Sequence, residues 1–129
     1  AKQNAEKYGS DIRFFAGDWV SALHHQARFD LIVSNPPYIP TSDIDTLQPE
    51  IRKFEPRLAL DGGKDGLDAI RHILNYARYH LVSGGSLMLE IGYDQKDRVF
   101  AIAEQFGYTE LRCIKDYAGL DRVVRMKRF

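Results

Sequence analysis

A short apolar run that ends abruptly constrains the fold of this chain more than any other feature. Residues 30–34 read Asp-Leu-Ile-Val-Ser, and Asn35, Pro36 and Pro37 follow directly. A nearly continuous apolar run of this length is typical of a strand buried on both faces in a parallel sheet. The two prolines must end that strand, because they lack the N–H that a sheet hydrogen bond needs. We therefore expect residues 31–33 to form a buried strand with Asn35 at its carboxyl end.

Strand and helix patterns alternate along the chain. Apolar spacing and glycine positions predict strands at 12–16, 30–34, 86–91, 111–115 and 122–126 and helices at 67–81 and 95–106. Gly84 and Gly85 are expected to end the first of these helices, and the last two strands flank a short loop, as in an antiparallel hairpin. The pattern predicts an α/β fold whose mostly parallel sheet finishes in that hairpin.

Composition limits the classes of protein to which the chain belongs. Its 129 residues suit one domain, and 44% of them are hydrophobic. Lys plus Arg equals Asp plus Glu at 18 each, so no direct nucleic-acid partner is expected. The single cysteine, Cys113, excludes an internal disulfide, and we predict no metal site. No apolar run approaches the roughly 20 residues that span a bilayer, so the sequence predicts a cytoplasmic protein without membrane contact.

The position of two further residues suggests a ligand site. Asp18 and Trp19 follow the predicted strand at 12–16, as Asn35 follows its own strand. In open α/β sheets, ligands bind beyond the carboxyl ends of the strands. We therefore expect Asp18 and Trp19 to lie at the same sheet edge as Asn35.

The tetrapeptide Asn35, Pro36, Pro37 and Tyr38, called the NPPY motif below, suits recognition of a flat –NH2 group. The prolines restrict φ to about −65°, which holds the Pro36 carbonyl outward. This carbonyl and the Asn35 side-chain oxygen can accept the two hydrogens of an amide or aromatic amine, while Tyr38 stacks on its plane. Such alignment directs the nitrogen lone pair toward an electrophile and lowers a barrier by several kcal/mol. A simple strand-ending turn is the alternative interpretation.

On this motif the sequence resembles the class I S-adenosylmethionine-dependent methyltransferases that modify planar amino groups. Beyond it, residues 54–67 read Phe-Glu-Pro-Arg-Leu-Ala-Leu-Asp-Gly-Gly-Lys-Asp-Gly-Leu and residues 89–92 read Leu-Glu-Ile-Gly. These segments are similar to those of the HemK/PrmC family, the peptide chain release factor glutamine methyltransferases. The resemblance implies transfer of a methyl group from S-adenosylmethionine to the side-chain amide of the glutamine in a Gly-Gly-Gln motif. Its implied partners are class I peptide chain release factors.

The resemblance also implies roles for single residues and a partial Rossmann-like fold. Asn35 would contact both the cofactor and the substrate amide, and Asn35, Pro36 and Tyr38 would be the catalytic residues. Pro37 would join these three in shaping the glutamine site. Trp19 would flank the adenine of the cofactor, and Asp18 would accept a hydrogen bond from the adenine amine. The strand order of the family is 3-2-1-4-5-7-6.

Two parts of the family pattern have no counterpart in the sequence: the glycine-rich cofactor loop and the acidic residue that holds the ribose. Residues 1–129 therefore correspond to a C-terminal portion of the catalytic domain. We predict that these residues alone bind S-adenosylmethionine weakly or not at all and are inactive. An edge exposed at residues 31–33 would favour dimerisation.

Other interpretations stay open at the sequence level. A nucleic-acid adenine amino-methyltransferase fragment shares the NPPY motif, and a non-catalytic interaction module could keep the fold. Residues 62–66 are expected to form a turn before the helix at 67. Glu90, at the end of a strand, is a further candidate for the pocket, whereas His24 and His25 are expected to be solvent-exposed.

Overall fold

Four strands form one mixed sheet in the computed structural model, which describes residues 1–129. The strands are β1 (Phe29–Ser34), β2 (Leu81–Glu90), β3 (Tyr108–Lys115) and β4 (Asp121–Arg128). Their order is β1-β2-β4-β3, in which β1 and β2 are parallel and the other two pairings are antiparallel. This order equals the 4-5-7-6 part of the family order. The α/β class, the partial Rossmann-like fold and the C-terminal hairpin are thus confirmed.

Helices occupy the connections before and between the strands. They are α1 (Lys2–Lys7), α2 (Pro49–Phe54), α3 (Arg57–Leu60), α4 (Asp68–Ala77) and α5 (Lys96–Gln105), with 3₁₀ turns at Trp19–Ala22 and Thr41–Thr46. Only α4 and α5 reach ten residues, and these are the two helices that the apolar spacing predicts. Both therefore stand as confirmed elements, with bounds that differ from the prediction.

One hydrophobic core lies between the two long helices and the sheet. It contains 14 buried residues, to which α4 contributes Ile70 and Leu74 and α5 contributes Val99. In β2, Leu87 and Leu89 are buried while the residues between and beside them are less so, as the two-residue period of a strand requires. The core therefore holds β2 and the start of α5 in place. Both elements lie next to the NPPY motif.

The prediction that residues 31–33 are buried on both faces is wrong. Ile32 packs against the core, but Leu31 is 50% exposed and Val33 is 67% exposed. Side chains alternate between the faces of a strand, and no helix covers the second face at β1. β1 is also an edge strand, as expected for residues 31–33.

The predicted strand at residues 12–16 is not formed. This segment has no strand hydrogen bonds, and Ile12, Phe14 and Phe15 are exposed. Aromatic and branched residues form a strand only where the chain pairs with another strand, and residues 12–16 do not pair with the free edge of β1. The segment instead leads as irregular chain into the turn at Trp19.

The helix predicted at 67–81 ends earlier than the pattern suggests. α4 ends at Ala77, and Leu81 begins β2, where it is buried in the same core. Leu81 continues the apolar spacing of α4 although it lies in a strand, because it packs in the same core as the helix. Gly84 and Gly85 lie inside β2, not at a helix end. Gly84 has a φ of 75°, and the β1–β2 register shifts at this point, which marks a bulge.

Candidate functional site

The NPPY motif leaves the sheet at the carboxyl end of β1. Pro36 is fully buried and anchors the segment, whereas Asn35 is exposed at the edge. Neither the Asn35 side chain nor the Pro36 carbonyl forms a hydrogen bond with the rest of the chain. The two acceptors that the sequence singles out therefore have no partner within the chain, and the exposed Asn35 side chain is open to a ligand.

A cavity of about 750 Å³ joins the motif to the residues after position 16. Asn35 and Pro37 line it from one side, and Asp18 and Trp19 line it from another. Trp19 has a φ of 51°, which is unusual for a residue other than glycine. The structure thus brings Asp18 and Trp19 to Asn35, although the strand expected to carry them is absent.

The wall of this cavity is acidic. Three carboxylates, Asp18, Asp61 and Asp68, line it, and no lysine or arginine does. Hydrogen bonds from the Thr41 hydroxyl, at 2.6 Å, and from the Gly63 N–H, at 3.0 Å, lower the pKa of Asp61. Asp61 therefore stays ionised at neutral pH. Asp61 pairs with Arg57 at 3.6 Å and Asp68 pairs with Arg71 at 3.2 Å, so Asp18 is the lining carboxylate that has no ion pair.

A second hollow of about 340 Å³ lies on the other side of the motif. Pro36, Tyr38 and Glu55 line it, together with residues shared by both hollows. The shared residues are Asn35, Pro37 and Ala59. Asn35 and Pro37 of the NPPY motif therefore form part of a wall that the two adjoining spaces share.

The ring of Tyr38 is held by its hydroxyl group. This hydroxyl donates to Glu90 Oε1 at 3.0 Å, and burial together with the neighbouring Glu90 carboxylate raises the pKa of Tyr38. Glu90 lines neither hollow. Its contact with the site therefore runs through Tyr38.

The segment at residues 54–67 packs directly on the continuation of the NPPY motif. Ile39 donates its N–H to the Leu60 carbonyl at 3.1 Å and accepts from the Gly62 N–H at 2.9 Å. The Thr41 N–H then donates to the Gly63 carbonyl at 2.9 Å. The two sequence motifs thus form one unit, and residues 62–66 make the expected turn into α4.

Sequence reasoning missed two residues at this site. His72 lines the larger cavity, its ring centroid lies 6.4 Å from that of Trp19, and its Nε2 atom is buried without a hydrogen-bond partner. Gln95 is buried and bonds to the backbone of Tyr38. In the sequence, both are ordinary helix positions, and no local pattern distinguishes them.

No cluster of His, Cys, Asp or Glu side chains has a geometry that would hold a metal ion, and His24 and His25 are exposed. None of the helices combines the length and the apolar character that crossing a membrane requires.

Comparison with known proteins identifies close relatives in sequence. The chain is 48% identical over 124 residues to a release factor glutamine methyltransferase of Geobacter sulfurreducens, an alignment that covers 96% of this chain and 43% of that protein. It is 49% identical over 126 residues to the protein of the same name from Caulobacter vibrioides, with the same coverage. The chain thus spans less than half the length of these relatives. A comparison with models of protein families finds no match.

A solved structure supports the fold. A methyltransferase of Pyrococcus furiosus superposes with a TM-score of 0.71 over 98% of this chain and 55% of its own, at 22% sequence identity. At that identity the likeness concerns the arrangement of helices and strands. The sequence relatives are more specific, since they carry the name of the family that the motifs resemble. Over nearly all of its length, the chain is therefore similar to a part of the release factor glutamine methyltransferases.

Proposed function

We propose that these residues hold the side-chain amide of a release-factor glutamine beside S-adenosylmethionine, so that the amide nitrogen receives the methyl group. One observation carries the proposal: the unpaired Asn35 and Pro36 acceptors lie on the wall between two adjoining hollows. The names of the relatives favour a glutamine of a release factor over the adenine alternative.

The smaller hollow is assigned to the glutamine side chain. The Asn35 side-chain oxygen and the Pro36 carbonyl accept the two amide hydrogens, and Tyr38 packs on the amide plane. The nitrogen lone pair, which resonance normally delocalises, is then held toward the larger hollow. Positioning of this kind supplies several kcal/mol of the barrier reduction. The N–CH3 bond would form as the S–CH3 bond breaks to leave a neutral thioether, and the amide nitrogen would release one of its two protons to solvent water.

The larger hollow is assigned to S-adenosylmethionine, which supplies an electrophilic methyl group on a positively charged sulfur. Its volume of about 750 Å³ lies in the usual range of ligand sites, about 300–1,000 Å³. Trp19 offers an aromatic face to the adenine, and Asp18 offers an acceptor for its amino group. No lysine or arginine lines the cavity to repel the sulfonium charge. The residues present therefore fit the adenine and the sulfonium of the cofactor.

The same two acceptors favour a single methylation. The methylated amide has one N–H left, so either Asn35 or Pro36 loses its hydrogen-bond partner. An acceptor that loses its partner in a partly buried site weakens binding. The product is therefore released more readily than the substrate.

An alanine substitution at Asn35 tests the proposal in the complete protein as encoded by its gene. We expect Asn35→Ala to lower kcat for methylation of a class I release factor by roughly a hundredfold or more, because a transition-state contact is lost. Mass spectrometry locates the methyl group on the glutamine of Gly-Gly-Gln. The matched control is Asn4→Ala, an exposed position in α1.

Two results would count against the proposal. One is full activity of Asn35→Ala, and the other is a methyl group on a different residue of the release factor. Weak binding of cofactor by the 129 residues alone stays a separate prediction, and micromolar affinity by calorimetry would contradict it.

A further inference from the structure

The side chain of Gln95 is buried at the start of α5, with 2% of the residue exposed. Its Nε2 donates to the Tyr38 carbonyl at 2.9 Å and to the Gly66 carbonyl at 3.3 Å. Its Oε1 accepts from the Gly92 N–H at 2.9 Å. Both amide hydrogens and the oxygen are thus engaged, each with a different backbone group.

These three contacts join segments that are distant in the chain. Tyr38 belongs to the NPPY motif, Gly66 to the turn before α4, and Gly92 to the residues just after β2. The two contacts of Nε2 connect residues 57 and 29 positions apart. One buried carboxamide therefore ties the motif to both of the elements that support the site.

Glycines allow the backbone to approach Gln95 this closely. At Gly66, whose φ is 75°, a Cβ atom would overlap the Tyr38 carbonyl oxygen and lie 2.7 Å from Gln95 Nε2. At Gly92, a Cβ atom would lie 3.1 Å from Gln95 Oε1. A residue larger than glycine would not fit at Gly66 without moving Tyr38. The close packing around Gln95 therefore requires glycine at this position.

We infer that Gln95 is a positioning residue for the NPPY motif, an inference that rests on the proposed function. It fixes the backbone carbonyl of Tyr38, while Glu90 fixes the hydroxyl of the same residue. Tyr38 is thus held at both ends, and its carbonyl faces Gln95. The acceptors that stay free for a ligand are those of Asn35 and Pro36.

The prolines transmit the effect of Gln95 to those acceptors. Pro36 and Pro37 have restricted φ, so the segment has few ways to absorb a movement at Tyr38. A shift of the Tyr38 carbonyl therefore moves the Pro36 carbonyl and Asn35 together. In enzymes, a misplacement of about 1 Å can lower the rate by as much as a hundredfold.

Two substitutions at Gln95 separate positioning from simple support of α5. Gln95→Met keeps the volume and removes all three hydrogen bonds. Gln95→Glu keeps an oxygen acceptor for the Gly92 N–H but, when ionised, cannot donate to Tyr38 or Gly66. The control is Gln105→Met at the exposed end of α5. All variants are made in the complete protein. They are assayed between about pH 7 and pH 9, because burial beside two carbonyl oxygens raises the pKa of the introduced carboxyl, and kcat of Gln95→Glu is compared at the alkaline end of that range.

We expect both Gln95 variants to lower kcat for glutamine methylation by roughly tenfold to a hundredfold. The KM for S-adenosylmethionine should change less than kcat, because Asn35 is only one of the 12 residues that line the larger cavity. Gln105→Met should behave as the wild type. In NMR spectra, the side-chain amide signals of Asn35 should shift in the Gln95 variants and stay in place in the control.

Wild-type kcat in Gln95→Glu would overturn the inference, because the Gly92 contact alone would then suffice. An unchanged Asn35 signal in that variant would do the same, and this variant decides the matter if Gln95→Met does not fold. If the wild-type protein does not methylate glutamine, the proposed function fails, while the Asn35 signals still test the positioning by Gln95.

Discussion

Single residues of the site differ in how their polar groups are satisfied. The Tyr38 hydroxyl and carbonyl and both ends of the Gln95 carboxamide have protein partners. Asn35 has none, but it is exposed, so water can take its hydrogen bonds at little cost. A substrate amide can replace this water and donate its own hydrogen bond to the Asn35 side-chain oxygen. Because that oxygen is already in place, Asn35 suits recognition of an amide.

At the residue scale, we expect Tyr38→Phe to lower the free energy of unfolding by about 1 kcal/mol, because the hydroxyl loses its hydrogen bond and Glu90 loses its donor. Urea unfolding monitored by circular dichroism measures the change. Tyr117→Phe is the control, since Tyr117 is fully exposed in the hairpin loop. Equal stability of the two variants would show that the Tyr38–Glu90 contact contributes nothing.

At the scale of elements, the start of α4 depends on a residue outside the helix. The residue before the helix, Leu67, provides no side-chain cap. Instead Asp65 Oδ1 accepts from the Leu67 N–H at 3.2 Å and from Arg71 Nη1 at 3.0 Å. The carboxylate thus binds both a free N–H at the helix start and a cation of the first turns. These contacts, above all the one to Arg71, lower the pKa of Asp65 to about 2.

A pH dependence follows from this pKa. Because the ordinary value is 3.8, the stabilisation by Asp65 is complete above about pH 5 and is lost as the pH falls toward 2. Its size should be under about 1 kcal/mol, since the Asp65 side chain is 38% exposed. Asp65→Asn should therefore reduce the fall in the urea unfolding midpoint as the pH is lowered. Asp97→Asn, in the first turn of α5 and highly exposed, should leave it unchanged.

At the scale of the whole molecule, the sheet has an apolar edge. Leu31 and Val33 are exposed on β1, whose outer edge pairs with no other strand of the chain. Edge strands with apolar side chains favour pairing with another chain. The dimer expected from the sequence remains a prediction, and these two residues are where it would form.

We expect Val33→Lys to reduce self-association of the 129 residues, because a charged side chain at an edge opposes strand pairing. Light scattering over a range of protein concentrations measures this self-association. Ala101→Lys on the exposed surface of α5 adds the same charge elsewhere and should leave association as in the wild type. A monomeric wild type at all concentrations would contradict the prediction.

Several features of this protein follow from the sequence alone, because local sterics decide them. Two prolines must end a strand, so the position of the NPPY motif after β1 could be predicted. The same holds for α4, α5 and the β3–β4 hairpin, where apolar period and glycines act over a few neighbouring residues. The two sequence motifs likewise indicated the chemistry of the site, through the acceptors of Asn35 and Pro36.

Other features depend on contacts between distant residues, and only the tertiary structure decided them. Residues 12–16 have a strand pattern but pair with no other strand, and Val33 is apolar but lies on an uncovered face. Leu81 fits a helical period yet enters the core from a strand. Gln95 becomes part of the site only because folding brings Tyr38, Gly66 and Gly92 within reach of one side chain. Strand pairing, burial of a sheet face and long-range hydrogen bonds all depend on residues that are distant in the chain. No local sequence pattern specifies those residues.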